Sequence, residues 1–415
     1  LLAPGWSPEV LQSLRNLQQA VASRFTVAPK SQLPYERASS EAPVALETLA
    51  AAQRDATERT TGREADSEVE SVLPHGVRSE TPEHQVEPVV MYDTDEPSQP
   101  DAEVASTAEP EASAVEHCSY ANQKLGAGDY QVAIQAYDQA LALDPGYVAA
   151  RYNRGLAYAR LGALDRAVAD FTHVIERDAG QVGAYHQRGL AYARQGLLER
   201  AVADFNAALS LNPDAVAIAY ARANTLFRLN AYERAIEDYS AVLAQEPQRA
   251  DVYLNRGMAR VALGDYTEAL RDYNQAIALE PNRAAAYSHR GKAYVHLERY
   301  SEALSDYERA VEMDPRQASV YNNLGLLYVR IEAYPQAIEA YQHAMALQPD
   351  WPTAYYNAAC AAALTGDIKH ATAWLSRAVS LRERYRQMAL SDPDFAQIRE
   401  APQFQAIVAP TTTAA

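Results

Sequence analysis

The chain encodes an all-α fold, a solenoid of stacked helix pairs, and three observations predict it. The first is a strict period. Residues 114–385 fall into eight 34-residue units (114–147, 148–181, 182–215, 216–249, 250–283, 284–317, 318–351 and 352–385) with no insertion or deletion. The second is a column that is alanine in every unit, from Ala133 to Ala371, followed four residues later by Tyr137, Phe171, Phe205, Tyr239, Tyr273, Tyr307, Tyr341 and Leu375. Four residues is one helical turn, so the two columns lie on one buried stripe. The third is a small residue twelve positions before each alanine: Ala121, Gly155, Gly189, Ala223, Gly257, Gly291, Gly325 and Ala359. It marks a preceding helix that the stripe approaches closely.

Within each unit the elements follow in order. The first helix carries the small residue and ends at a turn where Gly128, Gly162, Gly196, Gly264 and Gly366 supply positive φ. The second helix carries the alanine and the ring. Pro145, Pro213, Pro247, Pro281, Pro315 and Pro349 then close their units, since no helix continues through proline. Ala179 and Glu383 take that place in units 2 and 8, so the last second helix is expected to run on into Arg384 and Tyr385. Residues 386–408 should form one or more capping helices, with Leu390, Phe395, Ile398 and Phe404 covering the open apolar face of unit 8, before a disordered tail at 409–415.

The first 113 residues are different. They hold 11 of the 22 prolines but only four aromatics (Trp6, Phe25, Tyr35 and Tyr92), too few to build a core, and are expected to be largely disordered. A short amphipathic helix is expected at 8–25, where Val10, Leu11, Leu14, Leu17, Val21 and Phe25 recur at helical spacing after Ser7-Pro8. Residues 61–113 carry 14 acids against Arg63 and Arg78, a self-repelling acidic linker.

Composition excludes several function classes. With 54 acids against 37 bases the net charge is −17, which disfavours nucleic acid as a partner. No uncharged apolar run approaches the roughly 20 residues of a membrane span, and a cytoplasmic location is expected. Cys118 and Cys360 stand alone, without a CxxC pair, so neither a disulfide scaffold nor a thiolate metal site is predicted. There is no Gly-rich phosphate loop, HExxH or GxSxG motif, so no catalytic residue, cofactor or enzymatic activity is expected. His289 and His296 share a helix face but lack a third ligand.

One charge pattern repeats with the units. Arg154, Arg188, Arg222, Arg256 and Arg290 precede the small residue in units 2 to 6, and those units alone carry Asp170, Asp204, Asp238, Asp272 and Asp306 sixteen residues later. Presence and absence match, which predicts five structural ion pairs bridging the two helices of a unit.

This pattern resembles the tetratricopeptide repeat family in its bacterial form, with Gly155, Tyr158, Ala167, Phe171 and Val174 on the family's small, aromatic, alanine, aromatic and small positions. The resemblance implies a right-handed superhelix whose first helices line a peptide-binding groove. It places the sixth residue of each unit in that groove: Asn153, Gln187, Asn255, Asn323 and Asn357, interrupted by Ala221 and His289. An amide that both donates and accepts suits the backbone of an extended peptide. Arg160, Arg194, Arg228 and Arg330 at the thirteenth position, and Tyr152, Tyr220 and Tyr356 at the fifth, are expected beside them. The cations suggest an acidic or phosphorylated protein segment as ligand, and the chain's own linker 61–113 is a second candidate occupant. The expected function is that of a monomeric, non-enzymatic interaction scaffold. The alternative is the regulatory or substrate-recruiting part of a larger transferase or kinase.

Overall fold

A computed structural model describes residues 113–409. The expected helix at 8–25, the acidic linker up to residue 112 and the tail from residue 410 lie outside the described residues. Among the described residues every regular element is helical, and they divide into two compact units, 113–265 and 266–409.

The N-terminal unit comprises α1 (Ala114–Gly126), α2 (Tyr130–Leu143), α3 (Val148–Arg160), α4 (Leu164–Arg177), α5 (Val182–Arg194), α6 (Leu198–Leu211), α7 (Val216–Arg228), α8 (Tyr232–Gln245) and α9 (Ala250–Ala262). The C-terminal unit comprises α10 (Tyr266–Leu279), α11 (Ala284–His296), α12 (Tyr300–Met313), α13 (Ala318–Arg330), α14 (Tyr334–Leu347), α15 (Pro352–Leu364), α16 (Ile368–Leu381), α17 (Arg384–Ser391), a 3-10 turn (Pro393–Phe395) and α18 (Pro402–Val408). Odd-numbered α1 to α15 are the first helices of the repeats and even-numbered α2 to α16 the second. Within each unit a helix packs on the one before and the one after it, and successive first helices also touch, the arrangement of a repeat solenoid.

The contact between paired helices is made by the columns the sequence singles out. A Cβ on Gly155 would come within 2.8 Å of the Phe171 ring, one on Gly189 within 2.7 Å of Phe205, and one on Gly291 within 2.9 Å of Tyr307. The rings themselves are fully buried. All eight turns between paired helices need a left-handed residue, but only five use glycine: Asn230, Glu298 and Glu332 hold φ of 57° to 58° in repeats 4, 6 and 7. Register imposes that conformation even where the side chain resists it.

The last repeat corrects one expectation. Its second helix stops at Leu381, because Arg382 turns extended (φ −154°, ψ 110°), and a separate helix, α17, begins at Arg384. The break brings the Tyr385 ring to 4.8 Å from Tyr356 on α15. Phe395, Ile398 and Phe404 are buried in the cap as expected, whereas Leu390 is exposed and Tyr385, Ala389 and Val408 do that work instead.

Gly189→Ala should lower the thermal midpoint. The added methyl meets a buried ring that cannot swing aside, and overpacking of this kind costs about 1–3 kcal/mol, more than the helix propensity that alanine gains. Unchanged melting by circular dichroism would show that the interface has slack.

Candidate functional site

The polar contacts between helices are built on the arginine column. Arg154, Arg188, Arg222 and Arg290 each grip their aspartate with two hydrogen bonds, Nε to Oδ2 at 2.7–2.8 Å and Nη2 to Oδ1 at 2.6–2.7 Å. The aspartates are buried and the guanidiniums mostly covered. Arg256 lies in the N-terminal unit and Asp272 in the C-terminal one, so that pairing remains a proposal.

The third guanidinium nitrogen makes a contact that the sequence reading missed. It donates to the second helix of the preceding repeat: Arg154 to Asp138 (2.6 Å), Arg188 to Thr172 (3.0 Å), Arg222 to Asn206 (2.8 Å), Arg256 to Ser240 (3.0 Å) and Arg290 to Asn274 (2.6 Å). Arg154, Arg188, Arg222 and Arg290 therefore each tie three helices together. The signal was present: the residue after each core ring is an oxygen-bearing side chain wherever the next repeat has the arginine.

The face formed by the first helices needs correction at its tyrosines. Tyr152 is buried with its ring 5.6 Å from Phe171. Tyr356 is fully buried beneath the cap, and its hydroxyl donates to Asp392 at 2.8 Å. Tyr220 packs 6.1 Å from Tyr239 and is covered by the guanidinium of Arg249, 4.8 Å above its ring. Tyr152 and Tyr220 thus pack on the core ring nineteen residues later and Tyr356 on the rings of the cap, which turns all three toward the protein interior.

Two of the five amides are withdrawn as well. Asn153 and Asn357 are buried. Their Nδ2 atoms donate to Asn122 (2.9 Å) and Asn322 (3.0 Å) in the preceding first helix, and Asn255 donates likewise to Asn224 (3.2 Å) and Tyr220 (3.1 Å). These bonds join repeats. Gln187, Asn255 and Asn323 keep partial exposure.

The arginine row stays at the surface. Arg160, Arg194 and Arg228 are exposed at the ends of α3, α5 and α7, and Arg330 is partly exposed at the end of α13. Arg194 donates one bond to the Ala159 carbonyl (2.8 Å), and Arg228 one to that of Ala193 (2.9 Å). Both carbonyls belong to the last turn of the preceding first helix, where a cation also complements the helix dipole. The guanidiniums are thus held in register with most of their donors unspent.

A second polar cluster lies under the cap. Ligand atoms of Cys360, Asp392 and Asp394 lie within 4.8 Å of one another, the only such group among the described residues. Both Asp392 oxygens are engaged, Oδ1 by the Asp394 amide (3.0 Å) and Oδ2 by Tyr356. Burial first, and then the charge of Asp392, push Asp394 up to about 7. Burial thus favours the protonated form of Asp394 beside the fully engaged Asp392, and the pair is a structural element of the cap.

With this geometry established, comparison with known proteins is direct. Tetratricopeptide repeat models match residues 121–182, 186–250 and 254–318, and again 318–350 and 352–385. The chain belongs to the tetratricopeptide repeat family. A curated relative, an FK506-binding protein-like chain of Rattus norvegicus, is 42% identical over 59 residues, 14% of this chain and 17% of its own length. Among solved structures, a tetratricopeptide repeat protein from Parabacteroides merdae aligns at 21% identity over 57% of this chain and 93% of its own, with a TM-score of 0.47. YrrB, described as having an unusual peptide-binding site, aligns at 27% identity over 44% of this chain and 95% of its own, with a TM-score of 0.38. These tetratricopeptide repeats form a protein-interaction scaffold, and among the described residues no helix is long and apolar enough to cross a membrane.

Two outcomes follow for this tetratricopeptide repeat array. Asp238→Ala leaves the largely covered Arg222 without its charged partner and should cost about 1.5–3 kcal/mol in thermal or urea unfolding; an unchanged midpoint would remove the staple from the stability account. For Asp394 the folded state holds a proton between its ordinary carboxylate value and about 7 that the unfolded state releases. Stability of the cap should therefore fall as pH rises across that window. Hydrogen exchange of the α17 and α18 amides should be faster near pH 8 than near pH 5.5 after correction for intrinsic rate, and Asp394→Asn should flatten the difference.

Proposed function

We propose that the chain binds an extended acidic segment of a partner protein across the face of its first helices, as a monomer and without catalysis of its own. The observation that carries this reading is the row Arg160, Arg194 and Arg228, exposed at one position of three successive repeats, with two of the three tethered by a single backbone bond. A row spaced by the repeat suits an extended strand of ligand, and guanidinium forks suit carboxylates. Gln187 on α5 and Asn255 on α9, both partly exposed, offer amides to its backbone. Backbone amide contacts supply affinity, and the arginines select for acid.

The acidic linker 61–113 sits on the same chain as this row. Tethering gives it a high effective concentration, so it competes with outside ligands at low salt. Its 14 acids against two arginines supply the complementary charge.

Fluorescence anisotropy with a labelled glutamate-rich peptide of about 15 residues tests both statements, since the ligand contacts are electrostatic and screened by salt. The triple variant Arg160→Glu, Arg194→Glu, Arg228→Glu should weaken binding by about tenfold or more. Deleting residues 1–112 should strengthen it at low salt. Equal affinity for variant and parent moves the binding surface off the arginine row; equal affinity with and without the deletion reduces the linker to a spacer.

A further inference from the structure

The C-terminal unit carries a cluster of basic side chains on its own first helices that the staples do not use. His289, Lys292 and His296 stand three and four residues apart on α11, along one side of the helix over about 10 Å. Arg330 ends α13, the neighbouring first helix, one repeat period after His296. Lys292 and His296 are exposed, and His289 and Arg330 partly so.

Both imidazoles are held in place by rings of α10. His296 stacks on Tyr266 with centroids 4.4 Å apart and planes 6° from parallel, and His289 lies over Tyr273 at 6.1 Å and 21°. Stacking fixes each ring plane and leaves its nitrogens at the edge, where a ligand oxygen can reach them. Among the described residues Lys292 and Arg330 have neither an ion-pair nor a hydrogen-bond partner. This is the reverse of the staple arginines, each of which is matched to an acid.

The electrostatics agree with the geometry. Enclosure by the surrounding helices first, then Lys292 and Arg283, lower His289 to about 4; enclosure, then Lys292 and Arg330, lower His296 to about 4. Lys292 is also lowered by its surroundings. Glu298, in the turn after α11, bears on Tyr300 together with Arg330. Four basic side chains thus crowd one another across two helices, an arrangement that an arriving anion would relieve.

We infer that His289, Lys292, His296 and Arg330 form a phosphate subsite, which takes the phosphoserine or phosphothreonine of a bound partner segment. This rests on the reading that first helices bind an extended peptide, and it names the chemistry of one subsite within the C-terminal unit. A phosphate monoester brings a charge of about −1.5 to −2 and three acceptor oxygens, enough to engage a guanidinium fork, an ammonium and two imidazole N–H groups together. A single carboxylate has two oxygens and one charge and leaves half of the cluster unused.

The test uses the full chain and three degenerate peptide libraries with a fixed central phosphoserine, glutamate or serine. Phosphoserine peptides should be retained about tenfold or more over the other two, and Lys292→Ala with Arg330→Ala should abolish that preference while leaving capture of the glutamate library intact. A second readout needs no peptide. In carbon-13 histidine spectra, inorganic phosphate at constant ionic strength should shift the His289 and His296 ring signals of the parent chain and not those of the double variant.

Equal retention of phosphoserine and glutamate libraries overturns the phosphate assignment and leaves a general acid-binding face. Retention of none of the three overturns the peptide-binding reading, while the phosphate-induced histidine shift still decides the subsite. Absence of that shift, with phosphopeptide preference surviving the double variant, places the phosphate elsewhere.

Discussion

In repeats 1 to 4, 6 and 7 a ring on the second helix rests where the first helix has glycine or alanine, and the rest of each unit is arranged around that contact. The small residue and the ring are sixteen positions apart. The arginine and aspartate of the staple sit immediately before them and are sixteen apart as well. Bringing Gly155 against Phe171 therefore also delivers Arg154 to Asp170, at 2.6 Å. The acceptor in the preceding repeat lies sixteen positions before the arginine, so the arginine beside this close approach makes three polar contacts, two within its own repeat and one to the preceding one. Apolar burial supplies the drive and the staple the register, since bidentate geometry tolerates little sliding between helices.

The staple is also where the chain has an alternative. In repeats 7 and 8 the arginine and aspartate positions hold Leu324 with Ala340 and Ala358 with Trp374, all buried. An apolar pair replaces an ionic one of similar place, which is consistent with buried ion pairs contributing specificity more than net stability. The two repeats so built adjoin the cap, whose Tyr385, Phe395 and Phe404 extend the apolar core and close the solenoid end. There the polar contacts centre on Asp392, whose carboxylate accepts from the Tyr356 hydroxyl and the Asp394 amide and whose carbonyl accepts from Arg399.

The first-helix face divides its residues between holding repeats together and remaining open to a ligand. Tyrosines at the fifth position and several amides at the sixth are spent on the neighbouring helix, and two of the end arginines spend one donor on it. Charge that remains uncommitted is concentrated in two places, the Arg160, Arg194 and Arg228 row of one unit and the His289, Lys292, His296 and Arg330 group of the other. On a chain of net charge −17 these basic places would draw acidic groups, from a ligand or from the chain's own linker.

The sequence by itself determined the helix count of each repeat, its 34-residue period, the helix-to-helix contact columns, the staple aspartates and most of the cap, because each depends on a spacing that recurs in every repeat. Three left-handed turns at Asn230, Glu298 and Glu332 escaped it, since nothing in those side chains signals positive φ; neighbouring register imposes it. The break at Arg382 escaped it too, because no proline marks it. Only the tertiary structure decided which groove-column residues stay exposed: Tyr152, Tyr356, Asn153 and Asn357 are drawn inward by rings and amides of neighbouring helices, while Arg160, Arg194 and Arg228 are left outside. Position in a repeat is written along the chain, but burial depends on what the neighbouring repeat presents, and that is a property of two surfaces in contact.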